Sequence, residues 1–221
     1  LVLDKKRPTE IFDMDLDRGQ VFSHYNAIDS QNGHHSISHI LHSYQNDSSQ
    51  PIFVGFNEKN TMIFDKRVQN SIVRRTFYSD VDQFTCGTTT KSGRIALGSN
   101  DGVVSLYQQP CASRSTVNFN SGSEPITSVD ASPNEDWIVA TSPTYISLFF
   151  VHFSSMQFPF NFPMIEEQME AVRLQISIAD RRYIAQNNND VLPPFKNARF
   201  ELNQTGKISR IIASIGNALV S

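Results

Sequence analysis

A short apolar motif closing on a small residue returns every 43 residues along the chain, as Phe53-Val54-Gly55, Ala96-Leu97-Gly98 and Val139-Ala140-Thr141. Phe84 and Ile126 open successive units 42 residues apart. Each unit reads as strand, turn, strand ending in a small residue, tight turn, strand, and a looser fourth segment. Four strands at a period of about 40–45 residues is the pattern of a β-propeller blade, whose units gain a core only by stacking on one another. In that arrangement a neighbour packs on each side of the central strand, which must then be apolar on both faces. Trp137-Ile-Val-Ala-Thr141 and Ile211-Ile-Ala-Ser214 meet the requirement. Ile138 and Ile211 lie 73 residues apart, one period plus about thirty, which predicts an insertion between them.

Short strands rich in branched and aromatic residues carry the pattern: 11–16, 52–56, 61–65, 94–98, 103–107, 137–141 and 145–149. Between them stand Asp17-Arg-Gly19, Asn57-Glu-Lys-Asn60, Lys91-Ser-Gly93, Asn100-Asp-Gly102 and Ser132-Pro-Asn134. Turn residues at such short spacing make hairpins and meanders rather than crossover units. Asn100-Asp101-Gly102 is the strongest hairpin signal, with both turn positions expected at positive φ. Helical periodicity is confined to Met164–Arg173, about two turns following the prolines of Phe158-Pro-Phe-Asn-Phe-Pro163. The chain is therefore expected to be nearly helix-free outside 160–173, with Trp137 buried in the core.

The predicted fold is all-β. It is a WD40-like β-propeller forming a partial ring of about four to five blades of four-stranded antiparallel sheets, open at both ends. The whole chain, 1–221, is one propeller domain. Residues 1–25 supply the later strands of a first blade; 36–78, 83–120 and 125–178 are blades, the last with an insertion at 152–171; 197–221 supply three strands of another. The start at Leu1 and the stop inside an apolar strand at Ser221 are expected for a piece of a larger ring.

Charge excludes some partners. Nineteen basic against 22 acidic residues give −3, so no strong field recruits nucleic acid or an anionic membrane. No run of 18 apolar residues is present to span a bilayer. Two cysteines, Cys86 and Cys111, cannot form a disulfide scaffold, and a reducing compartment is expected.

Several stretches resemble a known family. Ile11-Phe-Asp-Met-Asp-Leu-Asp-Arg-Gly-Gln-Val21 is similar to the start of the C-terminal propeller-like region of the vacuolar import and degradation protein twenty-seven family. The likeness continues through 53–65, Phe84–Ser99, Pro125–Ser132, Asp136–Thr141 with Thr144-Tyr145, Arg173–Ile176 and Ala198–Phe200. It departs at 152–171, and the family pattern runs on past Ser221. The resemblance implies a propeller, a cytoplasmic setting with the nucleus left open, and a link to vacuolar delivery and degradation. It implies no catalytic residues.

The residues themselves offer few reaction centres. His34, His35, His39 and His42 are the only dense histidine cluster. Along one strand His35 and His39 share a face with Ile37 and Leu41 while His42 points away, too spread to share a zinc ion. Asp13, Asp15, Asp17 and Gly19 resemble a calcium loop, but its sixth and twelfth positions would be Arg18 and His24 rather than glycine and an acid. Gly98–Gly102 puts its serine second, which is not a nucleophile elbow, and no phosphate-binding glycine loop occurs. Cys86, between Phe84 and Gly87 on a strand, reads as a small buried hydrophobe.

Two groups remain as binding candidates. Arg74-Arg75 and Arg181-Arg182 are paired guanidinium groups of the kind that match phosphate bidentately, and are the candidates for a phosphoinositide or membrane surface. Phe158, Phe160 and Phe162 alternate along the insertion, where an extended strand would line them on one face for a partner protein. A non-enzymatic protein–protein interaction scaffold is the expected function, with peripheral membrane binding as the alternative and a propeller hydrolase behind it. No catalytic residue, metal, cofactor, nucleic acid or small-molecule substrate is expected.

Overall fold

The computed structural model describes residues 1–31, 33–42, 52–68, 72–151 and 171–221. Five antiparallel sheets follow one another along the chain. The first joins β1 (Val2–Asp4), β2 (Arg7–Asp15) and β3 (Gln20–Asn26) in that order. The second joins β4 (His39–His42), β5 (Ile52–Phe56), β6 (Asn60–Asp65) and β7 (Ile72–Phe77). The third joins β8 (Phe84–Thr89), β9 (Ile95–Ser99), β10 (Val103–Tyr107) and β11 (Val117–Asn120). In the fourth stand β12 (Ser128–Ala131), β13 (Trp137–Thr141), β14 (Ile146–Phe150) and β15 (Val172–Leu174). After helix α1 (Ile178–Gln186), the fifth joins β16 (Phe195–Leu202), β17 (Ile208–Ile215) and β18 (Ala218–Val220). This is an all-β, WD40-like propeller architecture.

The side-chain period of two explains how these sheets stack. On β5, Phe53 packs toward Ile11 and Tyr25 of the first sheet, while Val54 and Phe56 pack toward Phe84 and Leu97 of the third. On β9, Ile95 and Leu97 look back to the second sheet, and Ala96 looks forward to Val129 and Ile138 of the fourth. On β13, Ile138 and Ala140 face the third sheet, whereas Val139 faces Phe195 and Ala213 of the fifth. The central strands β5, β9 and β13 are thus buried on both sides, and four apolar seams hold five sheets face to face. The first strands β4, β8, β12 and β16 touch in series along one side of the stack.

Close approach accounts for the small residue that ends the repeated motif. A Cβ on Gly98 would lie 2.6 Å from Ile126 Cγ2 and 2.8 Å from Cys86 Sγ. Ile126 stands just before β12, so Gly98 lets the next sheet press directly on β9.

Three expectations need correction. Helix α1 lies outside 160–173, and Val172–Leu174 at the end of the supposed helical stretch is a strand, pairing with Ile146–Leu148. A fourth strand that completes a ladder outweighs the intrinsic preference of three residues. In the hairpin between β9 and β10 only Gly102 has positive φ, at 82°, because a three-residue turn needs the left-handed conformation at its last position alone. Trp137 is half-buried rather than core. Its ring packs edge-on against Phe150 at 4.8 Å at the rim of the fourth sheet.

Candidate functional site

Polar side chains pin each sheet to the next and make the stack a rigid base for whatever its surface holds. Asp13 on β2 accepts from Lys66 Nζ at 2.9 Å, joining the first sheet to the second. Thr85 on β8 donates to the Ile126 carbonyl that leads into the fourth sheet. Glu135, in the turn before β13, accepts from the Ser92 backbone N–H at 2.5 Å, from Ser92 Oγ at 2.8 Å and from Arg94 Nη1 at 3.3 Å. Between the fourth and fifth sheets, Thr141 Oγ1 accepts from the Ala198 N–H at 3.0 Å. Asp130 accepts from the Phe200 N–H, also at 3.0 Å. Burial raises the Asp130 carboxyl above the usual carboxylate range, and the Phe200 N–H and the Arg199 charge pull it part of the way back.

The residues singled out in the sequence do not converge. Arg74 and Arg75 stand exposed on β7, the outer strand of the second sheet, with Arg75 Nη1 donating to Asn60 Oδ1 at 3.2 Å. Arg181 and Arg182 are exposed on the helix α1. Phe158, Phe160 and Phe162, like the rest of 152–170, lie outside the described residues.

The histidines are spread in the same way. His35 Nε2 sits 2.8 Å from Asp29 Oδ2, where it closes a loop rather than waiting for a metal. The Gly33 and Gln31 N–H groups bond to the same carboxylate, and the three contacts hold Asp29 down to about 2, the imidazole contributing most. His39 stacks on Phe56 at 4.7 Å, and desolvation lowers its pKa. Among the described residues no group of three or more His, Cys, Asp or Glu is placed to hold a metal ion. Asp15 serves the turn after β2, accepting from the Asp17 and Arg18 N–H groups at 2.9 and 3.3 Å. Cys86 is buried, and its burial pushes the thiol up to about 12, which removes it as a thiolate at neutral pH.

An apolar rim emerges that the sequence did not single out. Phe150, 54% exposed, is paired across the ladder with Trp137, and Val172, 56% exposed, is paired with Leu148 two residues back on the same face. Trp137, Phe150 and Val172 therefore share one edge of the fourth sheet. The described chain leaves this edge at Val151 and returns to it at Ala171. Phe150 closes an apolar run and Val172 opens a polar one, so neither carries a local signal; only the register places them together.

Comparison with known proteins gives a consistent picture. The model of a family described as the VID27 C-terminal WD40-like domain matches residues 1–221. A curated relative, vacuolar import and degradation protein 27 of Schizosaccharomyces pombe, is 25% identical over 229 residues. The match covers 97% of this chain and 27% of the relative, so the chain spans about a quarter of that protein's length.

Proposed function

Because the chain belongs to the VID27 C-terminal WD40-like domain family, we propose that it is a non-enzymatic docking platform for other proteins, in a cytoplasmic process linked to vacuolar import and degradation. The process is taken from the name of the fission-yeast relative. One observation carries the docking role: an apolar edge where the half-buried Trp137 meets the exposed Phe150 and Val172, on a stack whose sheets are pinned to one another. Exposed apolar patches on rigid supports are characteristic of partner sites, since little order is lost on binding. Phe158, Phe160 and Phe162 extend the same chemistry in the segment that begins and ends at this edge, and we assign them to the partner contact.

Affinity purification with mass spectrometry tests the assignment, comparing the protein with its Phe158→Ser/Phe160→Ser/Phe162→Ser variant. The expected result is an unchanged melting temperature with one or more partners lost. Unfolding of the variant would make these phenylalanines core and refute the docking role. Flotation with phosphoinositide vesicles serves as the counter-test: retention that depends on Arg74 and Arg75 would replace the protein partner with a membrane surface.

A further inference from the structure

At the outer end of the seam between the second and third sheets lies a cavity of about 300 Å³. Its walls come from the link between β7 and β8, the β9–β10 turn, the outer strands β10 and β11, and the loop joining those two strands. Tyr78 and Tyr107, 3% and 2% exposed, are the aromatic side chains of its lining. The Tyr78 hydroxyl is already engaged, donating to the Ala112 carbonyl at 2.8 Å. Burial is the main reason that Tyr78 is pushed up to about 12 and Tyr107 higher still, so both stay neutral, and the negative charge of Asp80 adds to each shift. The Asp80 carboxylate lines the same space as both tyrosines.

Three charged groups line this space: Asp80, Asp101 and Arg114. Among the described residues Asp80 and Arg114 make no side-chain hydrogen bond or ion pair, and Asp101 makes one hydrogen bond, from Ser99 Oγ. Two carboxylates against one guanidinium leave the lining with a net single negative charge. At about 300 Å³ the space stands at the small end of ligand sites and suits one side chain better than a drug-sized molecule.

We infer that this cavity is a socket for one organic monocation on a flexible stem, presented as a lysine or arginine side chain by a partner protein. The assignment to a partner protein rests on the docking reading above; the cation chemistry does not. A free polyamine offers the same ammonium group and is the competing source.

Selection from a random heptapeptide display library, followed by titration of chosen peptides by calorimetry, tests the socket. The native protein is expected to enrich peptides carrying one lysine or arginine. Asp80→Asn should weaken these peptides about twofold to fivefold, since the ion pair of an exposed carboxylate is lost. Arg114→Gln should strengthen them, because it removes the opposing charge at an exposed position where folding is not at stake. Selection of acidic or uncharged peptides, or of none, would overturn the socket. So would basic peptides indifferent to both substitutions, a result that leaves the docking platform standing elsewhere on the surface. Loss of partners from the phenylalanine variant reads out the platform independently. Spermidine binding more tightly than any peptide, with the same dependence on Asp80, would overturn the assignment to a partner protein.

Discussion

Gly98 and Asp29 show how single residues set local outcomes here. An added methyl at Gly98 meets Ile126 and Cys86 inside van der Waals contact, and neither is the free end of a flexible chain. Gly98→Ala is expected to cost about 1–3 kcal/mol, as overpacked cores do, measured by urea unfolding. Asp29 acts through charge. Its folded-state pKa, about 2, lies below the ordinary 3.8, so the stabilisation it provides is complete above about pH 4 and fades as pH falls toward 2. Thermal melts between pH 5 and 2 should show that decline, and Asp29→Asn should flatten it. An equally steep decline in the variant would place the acid sensitivity elsewhere. Trp137→Ala, at a half-buried position, should cost about 1–2 kcal/mol, less than the full loss of a core aromatic.

Among the elements, the central strands were legible because their composition and spacing repeat, whereas α1 was not. Its only buried residue is Ile184, so it shows no apolar stripe for periodicity to find. The readable signal was the cap: Ser177 Oγ accepts from the Asp180 N–H at 3.1 Å and donates to Asp180 Oδ2 at 2.6 Å, a serine with an acid three residues on. At the other end, Asn187 and Asn188 donate from their side-chain amides to the carbonyls of Tyr183 and Ile184, both at 2.8 Å, closing the last turn. Ser177→Ala should cost about 1 kcal/mol and speed amide exchange in α1 before other elements. Gly102 is the parallel case in a turn. It has φ of 82°, and an added Cβ would stand 2.1 Å from the Gly122 carbonyl oxygen, so Gly102→Ala should destabilise more than Gly98→Ala. The candidate sites were far less legible. Asp80, Asp101 and Arg114 stand in three separate connections that only the folded third sheet brings to one cavity.

For the molecule as a whole, stability is shared through seams between neighbours. The second, third and fourth sheets each contribute to two of the four apolar clusters, the first and fifth to one. Amide exchange is therefore expected to be slowest in β9 and β13 and faster in β2, following the number of packed neighbours. Uniform exchange across all three strands would mean that the stack opens only as a single unit. Ile138, fully buried in the seam between the third and fourth sheets, should cost about 2–5 kcal/mol on truncation to alanine. Exchange in β9 and β13 should then rise together.

The two-sided burial of β5, β9 and β13 has a consequence for how these strands find their alignment. In a sheet with one wet face, a slip by one residue drives polar groups inward, and hydropathy alone forbids it. Here both faces are dry, so polarity cannot distinguish the true alignment from its neighbour. Size does: Phe53 and Phe56 fill wide gaps, while Ala96 and Gly98 fit narrow ones, and a slip would exchange bulky with tiny. The address of each strand is thus written in volume, and swaps that keep greasiness but shuffle bulk would erase it.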